Sequence, residues 1–256
     1  MSTVSEKPII IVAGVGNGSG TGAGTARVFA NAGYRVALVA RNEEHLKNTA
    51  AQINGAGGEA SAFPVPAYDS ASLSSVFASI STKWPGAPLR AALWNAGYGV
   101  WKPFLSVTDE ELDASLNANV RAPFIFSRLA ITAFKKNDLN EHGKRGVLLF
   151  TGATASTRGN TTTSAFSVGK FGLRSLSQSL NKEFGKENIH VAHAIIDGVI
   201  ITDRVKQAYG KSEEWAANAD VRLDPESIGK AYLYLANQDR SAWTWELDLR
   251  PAHEKW

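Results

Sequence analysis

The chain has 256 residues, 44% hydrophobic and 20% charged, with a net charge of +3 and no cysteine. That length is enough for one α/β domain with a sizeable core, residues 1–256, and the absence of thiols excludes disulfides, thiolate catalysis and cysteine-ligated zinc. The slight positive excess is spread along the chain rather than clustered, which argues against nucleic acid or a membrane surface as partner.

Residues 1–7 are polar and carry no apolar stretch, so no secretory leader is expected. No apolar run approaches the roughly 18 residues of a membrane span; the cytoplasm is the expected compartment. Residues 9–13 predict a first buried strand, followed at once by glycines and a helix over 24–32. Residues 34–40 predict a second strand, 43–54 a polar helix and 60–65 a third strand. Asp69 before Ser70-Ala71-Ser72 predicts a helix cap leading into 73–84. Further strands are expected at 89–94, 147–151 and 190–196, and the alternating run 243–249 predicts a seventh. Strands that alternate with helices imply one Rossmann-type, doubly wound α/β domain, its parallel sheet covered on both faces.

Two features after the first strands point to a dinucleotide. Glycine occupies every second position from Gly14 to Gly24. Such a run permits positive φ and close approach of a pyrophosphate, while the following helix offers free N–H groups to the anion. Arg41 directly follows the second strand, where an acidic residue would instead grip the ribose hydroxyls of NAD. A guanidinium there suits a 2′-phosphate, so the expected cofactor is NADP(H).

Asn95-Ala96-Gly97, Asn119 within Asn117-Ala118-Asn119-Val120-Arg121, Lys170, and Asp197-Gly198-Val199-Ile200-Ile201-Thr202 together resemble the short-chain dehydrogenase/reductase family over nearly the whole chain. The family's Gly-x-x-x-Gly-x-Gly fits two registers, one from Gly14 through Gly18 to Gly20 and one from Gly16 through Gly20 to Gly22. Counting back from the helix end at Gly33 favours the second, with two extra loop residues. The resemblance implies cofactor contacts from Gly16, Gly18, Gly20, Gly22, Arg41, Asn95, Ala96, Gly97, Lys170, Val199 and Thr202. It assigns Lys170 to the nicotinamide ribose and Asn119 to supporting Lys170. It also implies a homodimer or homotetramer built on the helices near 110–136 and 165–184, the latter rich in Gly169, Gly172, Leu173, Leu176 and Leu180.

The departures concern proton transfer. Phe166 stands where the family's Tyr-x-x-x-Lys would place the tyrosine, and Ala153 where it would place the serine. A phenyl ring exchanges no proton at any pH. Trp94 replaces the first Asn of the family's Asn-Asn-Ala-Gly, Asp197 replaces a Pro, and Pro66 occupies the place of the adenine-contacting Asp. The substitutes considered are Asp197, with a plain turn role as the alternative, and Tyr98, with packing as the alternative. With Asn119 and Lys170 they form the candidate catalytic set. Thr154, Arg158 and Ser164 are candidate substrate contacts, and Trp101 and Phe104 candidate pocket walls. His193 reads as a satisfied core histidine; His45, His142 and His253 lack ligand spacing, so no metal site is expected. Trp243, Trp245 and Trp256 read as packing or subunit contact. The expected activity is an atypical NADPH-dependent reduction of a small acceptor that does not need the tyrosine, such as an imine, an iminium or an activated C=C. The alternatives are a non-redox enzyme of the same descent, such as a cyclase of secondary metabolism, and a catalytically silent NADP(H)-binding sensor or scaffold.

Overall fold

Five consecutive buried residues make β1 (Ile9–Ala13) a strand covered on both faces, as a parallel sheet requires. It belongs to a computed structural model that describes residues 6–209 and 212–255; residues 1–5 and Trp256 lie outside the described residues. After β1 come α1 (Thr21–Asn31), β2 (Arg35–Ala40), α2 (Glu43–Gly55), β3 (Glu59–Pro64), α3 (Ser70–Lys83) and β4 (Leu89–Trp94). The second half holds α4 (Asp109–Leu116), α5 (Ala122–Phe134), β5 (Gly146–Thr151), α6 (Ser164–Phe184) and β6 (Ile189–Ile196). It closes with α7 (Asp203–Tyr209), α8 (Glu213–Ala217), α9 (Pro225–Asn237) and β7 (Glu246–Leu249).

The strands form one seven-stranded sheet in the order β3-β2-β1-β4-β5-β6-β7, and every pairing is parallel. Apolar residues of α1, α2 and α9 pack on one face, those of α3, α5 and α6 on the other. The fold is thus the Rossmann-type, doubly wound sheet that the alternation of elements predicts. Strand order reverses between β1 and β4, and in such sheets the crevice outside the strand C-termini at this point receives ligands.

Two boundaries differ from the sequence reading for physical reasons. Helix α1 starts at Thr21 rather than residue 24, with Gly20 extended as its N-cap. Its internal glycines serve close packing: a Cβ on Gly24 would lie 2.6 Å from the Pro225 carbonyl group of α9. At the other end β7 starts at Glu246 rather than 243. Trp243 instead stacks on His190 at 4.8 Å, and Trp245 faces the Arg174 guanidinium at 5.8 Å. Both tryptophans therefore pack within the protomer.

Candidate active site

The turn after β1 is set by contacts that leave no room for side chains. Gly14 has φ +95°, and a Cβ there would lie 2.3 Å from the Ala96 nitrogen. A Cβ on Gly22 would lie 2.2 Å from the Gly14 oxygen, which also accepts from Asn95 Nδ2 at 2.6 Å. Gly14 therefore holds the close-approach position assigned in sequence to Gly16, while Gly20 and Gly22 keep their places at the helix start. Five residues, Val15 to Ser19, separate Gly14 from Gly20. Gly16 (φ +71°) lines the groove but has nothing within 4 Å of a Cβ position. Gly18 and Gly22 do not line it; the Gly18 carbonyl accepts from Arg27 at 2.9 Å. The lengthened loop is tied to α7: Asp203 N donates to Ser19 Oγ at 3.1 Å and Asn17 Nδ2 donates to Asp203 at 3.2 Å.

From this turn a groove of about 580 Å³ runs past Arg41, Asn42, His45 and Tyr68. Among the described residues no aspartate or glutamate lines it. Arg41 is exposed at the end of β2, and Asn42 caps α2 by accepting from the His45 amide at 2.9 Å. Thr21, the first residue of α1, is only 5% exposed, and its hydroxyl has no partner among the described residues. A buried, unused hydroxyl at a helix N-terminus, beside glycines that expose backbone, fits a phosphate-bearing ligand.

Asn95, Gly97 and Arg204 line both this groove and a second cavity of about 630 Å³, so the two are continuous. The second cavity contains Lys170, positioned by an unusual stretch of helix. Residues 117–121 form a π-helical turn between α4 and α5, a feature frequent at functional sites. Trp94 is fully buried beneath it and donates from Nε1 to the Ala118 carbonyl at 3.2 Å. The turn aims Asn119 inward, where Nδ2 donates to Tyr98 O at 2.9 Å and to Ser115 Oγ at 3.2 Å, leaving Oδ1 without a partner among the described residues. Helix α6 fits against the turn through small residues; a Cβ on Gly169 would lie 2.8 Å from Asn119 and one on Gly172 2.8 Å from Val120. Those two glycines and the buried Leu173 thus serve packing inside the protomer. Of the stretch expected at a subunit contact, Leu176 and Leu180 line an outer groove.

Lys170 is 5% exposed and donates from Nζ to the Thr151 carbonyl at 2.9 Å. Burial alone lowers its pKa to about 8. Its Nζ lies 5.8 Å from the centre of the Phe166 ring, and Trp101 packs on that ring at 5.1 Å. Ala153, Thr154, Arg158, Asn160 and Thr163 complete the wall around Phe166. Phe166 and Ala153 themselves offer this wall no side-chain proton donor, while the polar Thr154, Arg158, Asn160 and Thr163 and the buried Lys170 ammonium line the same cavity.

The remaining sequence candidates divide between the cavity, the groove and positions that line neither. Asp197, 5% exposed, does not line the cavity. One of its oxygens accepts from Thr154 Oγ1 and the other lies 2.6 Å from Arg250. Val199 also stays outside the lining, its side chain exposed and its carbonyl accepting from Leu223 at 2.8 Å; its neighbours Gly198 and Ile200 line the cavity instead. Phe104 is 74% exposed and does not line it, and neither does Ser164. Tyr98, Trp101, Thr154 and Arg158 do. Thr202 borders the groove that carries Arg41 and opens α7 by accepting from Val205 N at 3.1 Å. Ala96 lines the same groove. His193 is buried, pairs one nitrogen with Glu246 at 2.9 Å and leaves the other without a partner among the described residues; burial takes its pKa down to about 4. Sequence reasoning missed Thr21 and Arg204. Arg204 lies two residues past Thr202, a proximity that could have marked it.

Known proteins share this sequence pattern and fold. The sequence profile of the family described as short chain dehydrogenase matches residues 8–213. A 3alpha-hydroxysteroid dehydrogenase of Mediterraneibacter gnavus is 31% identical over 157 residues, a match spanning 60% of each chain. A short-chain dehydrogenase/reductase of Armillaria gallica is 25% identical over 95% of this chain and 94% of its own. Among solved structures, a short-chain dehydrogenase from Rhodopseudomonas palustris is 32% identical with a TM-score of 0.77, covering 95% of this chain and 98% of that one. The fold is shared with a single-residue variant of actinorhodin polyketide ketoreductase bound to NADPH, at a TM-score of 0.82 and 20% identity, over 99% and 100% of the two chains. With the family profile across most of its length, the chain belongs to the short-chain dehydrogenase family of oxidoreductases.

Proposed function

We propose that the protein is an NADPH-dependent reductase that works without the tyrosine acid of its family. The observation that carries this reading is the continuity of two sites: a carboxylate-free groove bearing Arg41 opens, beside the Thr21 hydroxyl, directly onto the cavity holding Lys170. Gly14, Gly16, Gly20 and Thr21 would hold the pyrophosphate, Arg41 the 2′-phosphate, Arg204 the junction, and Lys170 with Asn119 the nicotinamide ribose. When bound, the reduced nicotinamide supplies a hydride.

Phe166 and Ala153 give nothing to a developing alkoxide, so the acceptor is one whose reduction does not depend on them. Lys170 is the buried proton-bearing group that remains, and with its pKa near 8 it holds a transferable proton at neutral pH. Asp197 is committed to Thr154 and Arg250, and among the described residues no carboxylate lines the cavity. This disfavours a cationic iminium and favours a neutral imine or an activated C=C. The test is calorimetry with NADPH and NADH, followed by NADPH consumption with an enone. Tighter binding of NADPH and consumption matched by a reduced product support the reading. Binding without consumption identifies a silent binder, product without net NADPH oxidation identifies a non-redox enzyme, and equal affinity for the two cofactors refutes the NADP(H) assignment.

A further inference from the structure

We infer that the substrate is a planar anion, a conjugated or aromatic acceptor carrying a carboxylate that Arg158 binds. The inference rests on the reductase reading for the location of the substrate and adds its charge and shape. The cavity wall carries three aromatic side chains, Tyr98, Trp101 and Phe166, and the cations Arg158, Lys170 and Arg204, with no aspartate or glutamate among the described residues. Among the described residues neither Arg158 nor Arg204 has an ion pair or a side-chain hydrogen bond. The cations are not equivalent. Arg204 also lines the cofactor groove, where phosphates meet its charge. Lys170 is buried at the cavity floor and holds the Thr151 carbonyl. Arg158 is exposed and lines only the substrate cavity, so its charge is open to the substrate and not taken up by the protein.

The loop around Arg158 is built to hold its place. The Arg158 amide donates to the Thr154 carbonyl at 3.2 Å. Two residues on, Asn160 N donates to Thr163 Oγ1 at 2.9 Å. Thr162 adopts a left-handed φ of 67°, and its carbonyl accepts from Lys102 N at 3.0 Å. That last bond stitches the Arg158 loop to the loop carrying Trp101. Trp101 and Phe166, packed on each other with ring centroids 5.1 Å apart and planes tilted by 47°, form one aromatic stretch of wall on which a planar π-system can lie, and a guanidinium binds carboxylate in bidentate fashion. Pairing with the Arg158 guanidinium also offsets the carboxylate's negative charge, which would otherwise oppose hydride attack on a bond conjugated with it.

Three probes with one skeleton and different charges test this: cinnamate, cinnamamide and cinnamylammonium, titrated calorimetrically into the protein with and without saturating NADP⁺. The expected result is cinnamate binding about tenfold more tightly than cinnamamide, the scale of one charge-assisted hydrogen bond, with cinnamylammonium weakest. Arg158→Gln should bring cinnamate to within about twofold of cinnamamide while NADP⁺ affinity holds, and Arg158→Lys should restore part of the preference. Neutral or cationic probe binding as well as the anion, no probe binding, or a preference that survives Arg158→Gln would overturn the inference. Failure of NADP⁺ itself to bind would instead strike the reductase reading, and the charge preference would still be read on the protein without cofactor.

Discussion

Single side chains decide what this site can do. Arg41 is the cation at the end of β2 in a groove without carboxylates among the described residues. Arg41→Asp is expected to weaken NADPH binding by about 2–3 kcal/mol, because it removes a charge-assisted hydrogen bond and sets a carboxylate against the phosphate. NADH should bind at least as tightly in the same calorimetry, because the new carboxylate can accept from its ribose hydroxyls. Lys170 carries a pH signature. Burial lowers its pKa from 10.5 to about 8, so between those values the unfolded chain binds more protons than the folded one. Stability attributable to this group therefore rises with pH across that window, and the cost of the buried charge is fully present below it. Lys170→Met should be more stable than wild type at pH 7 by about 2 kcal/mol, after allowing for the donor removed from the Thr151 carbonyl. The gap should close as the pH approaches 10.5. Urea titrations at several pH values check this, and a gap independent of pH would contradict it.

At the scale of elements, glycines divide into those that permit close packing and those that permit a turn. Gly22→Ala drives a methyl into the Gly14 carbonyl and should cost about 3 kcal/mol. Gly16→Ala meets open space with only its positive φ against it and should cost about 1 kcal/mol; thermal unfolding separates the two. This division also marks what was legible in the sequence. Strand alternation and the Asp69 cap on α3 follow from local pattern, because buried strands and helix caps are written in adjacent residues, whereas Lys170 and Asn119 are singled out through the family resemblance. The glycine register was not legible, because its deciding approach joins Gly14 to Ala96 across the sheet. The commitment of Asp197 depends on Arg250, 53 positions further on by their residue numbers, and the π-helical turn on Trp94 beneath it. Local spacing carries no trace of such long-range partners.

At the scale of the molecule, an outer groove between α5 and α6 is lined by Phe124, Arg128, Ile131, Leu176, Leu180 and Phe184, with Phe124 half exposed. We propose that this face joins two copies across a two-fold axis. Light scattering should return a dimer or tetramer at micromolar concentration, and Phe124→Asp should shift the mass toward the monomer; a monomeric wild type would contradict the proposal. The central claim, that the fold keeps its dinucleotide site and has replaced the carbonyl-protonating one, is tested most directly by the rate of NADPH-dependent reduction of a simple ketone. Wild type is measured beside Ala153→Ser/Phe166→Tyr, with NADPH affinity measured in both. General acid catalysis contributes about 100- to 10,000-fold, so the wild type should be slow and the double variant faster by a substantial part of that factor, at similar NADPH affinity. Brisk ketone reduction by the wild type, with no gain in the double variant, would contradict the account.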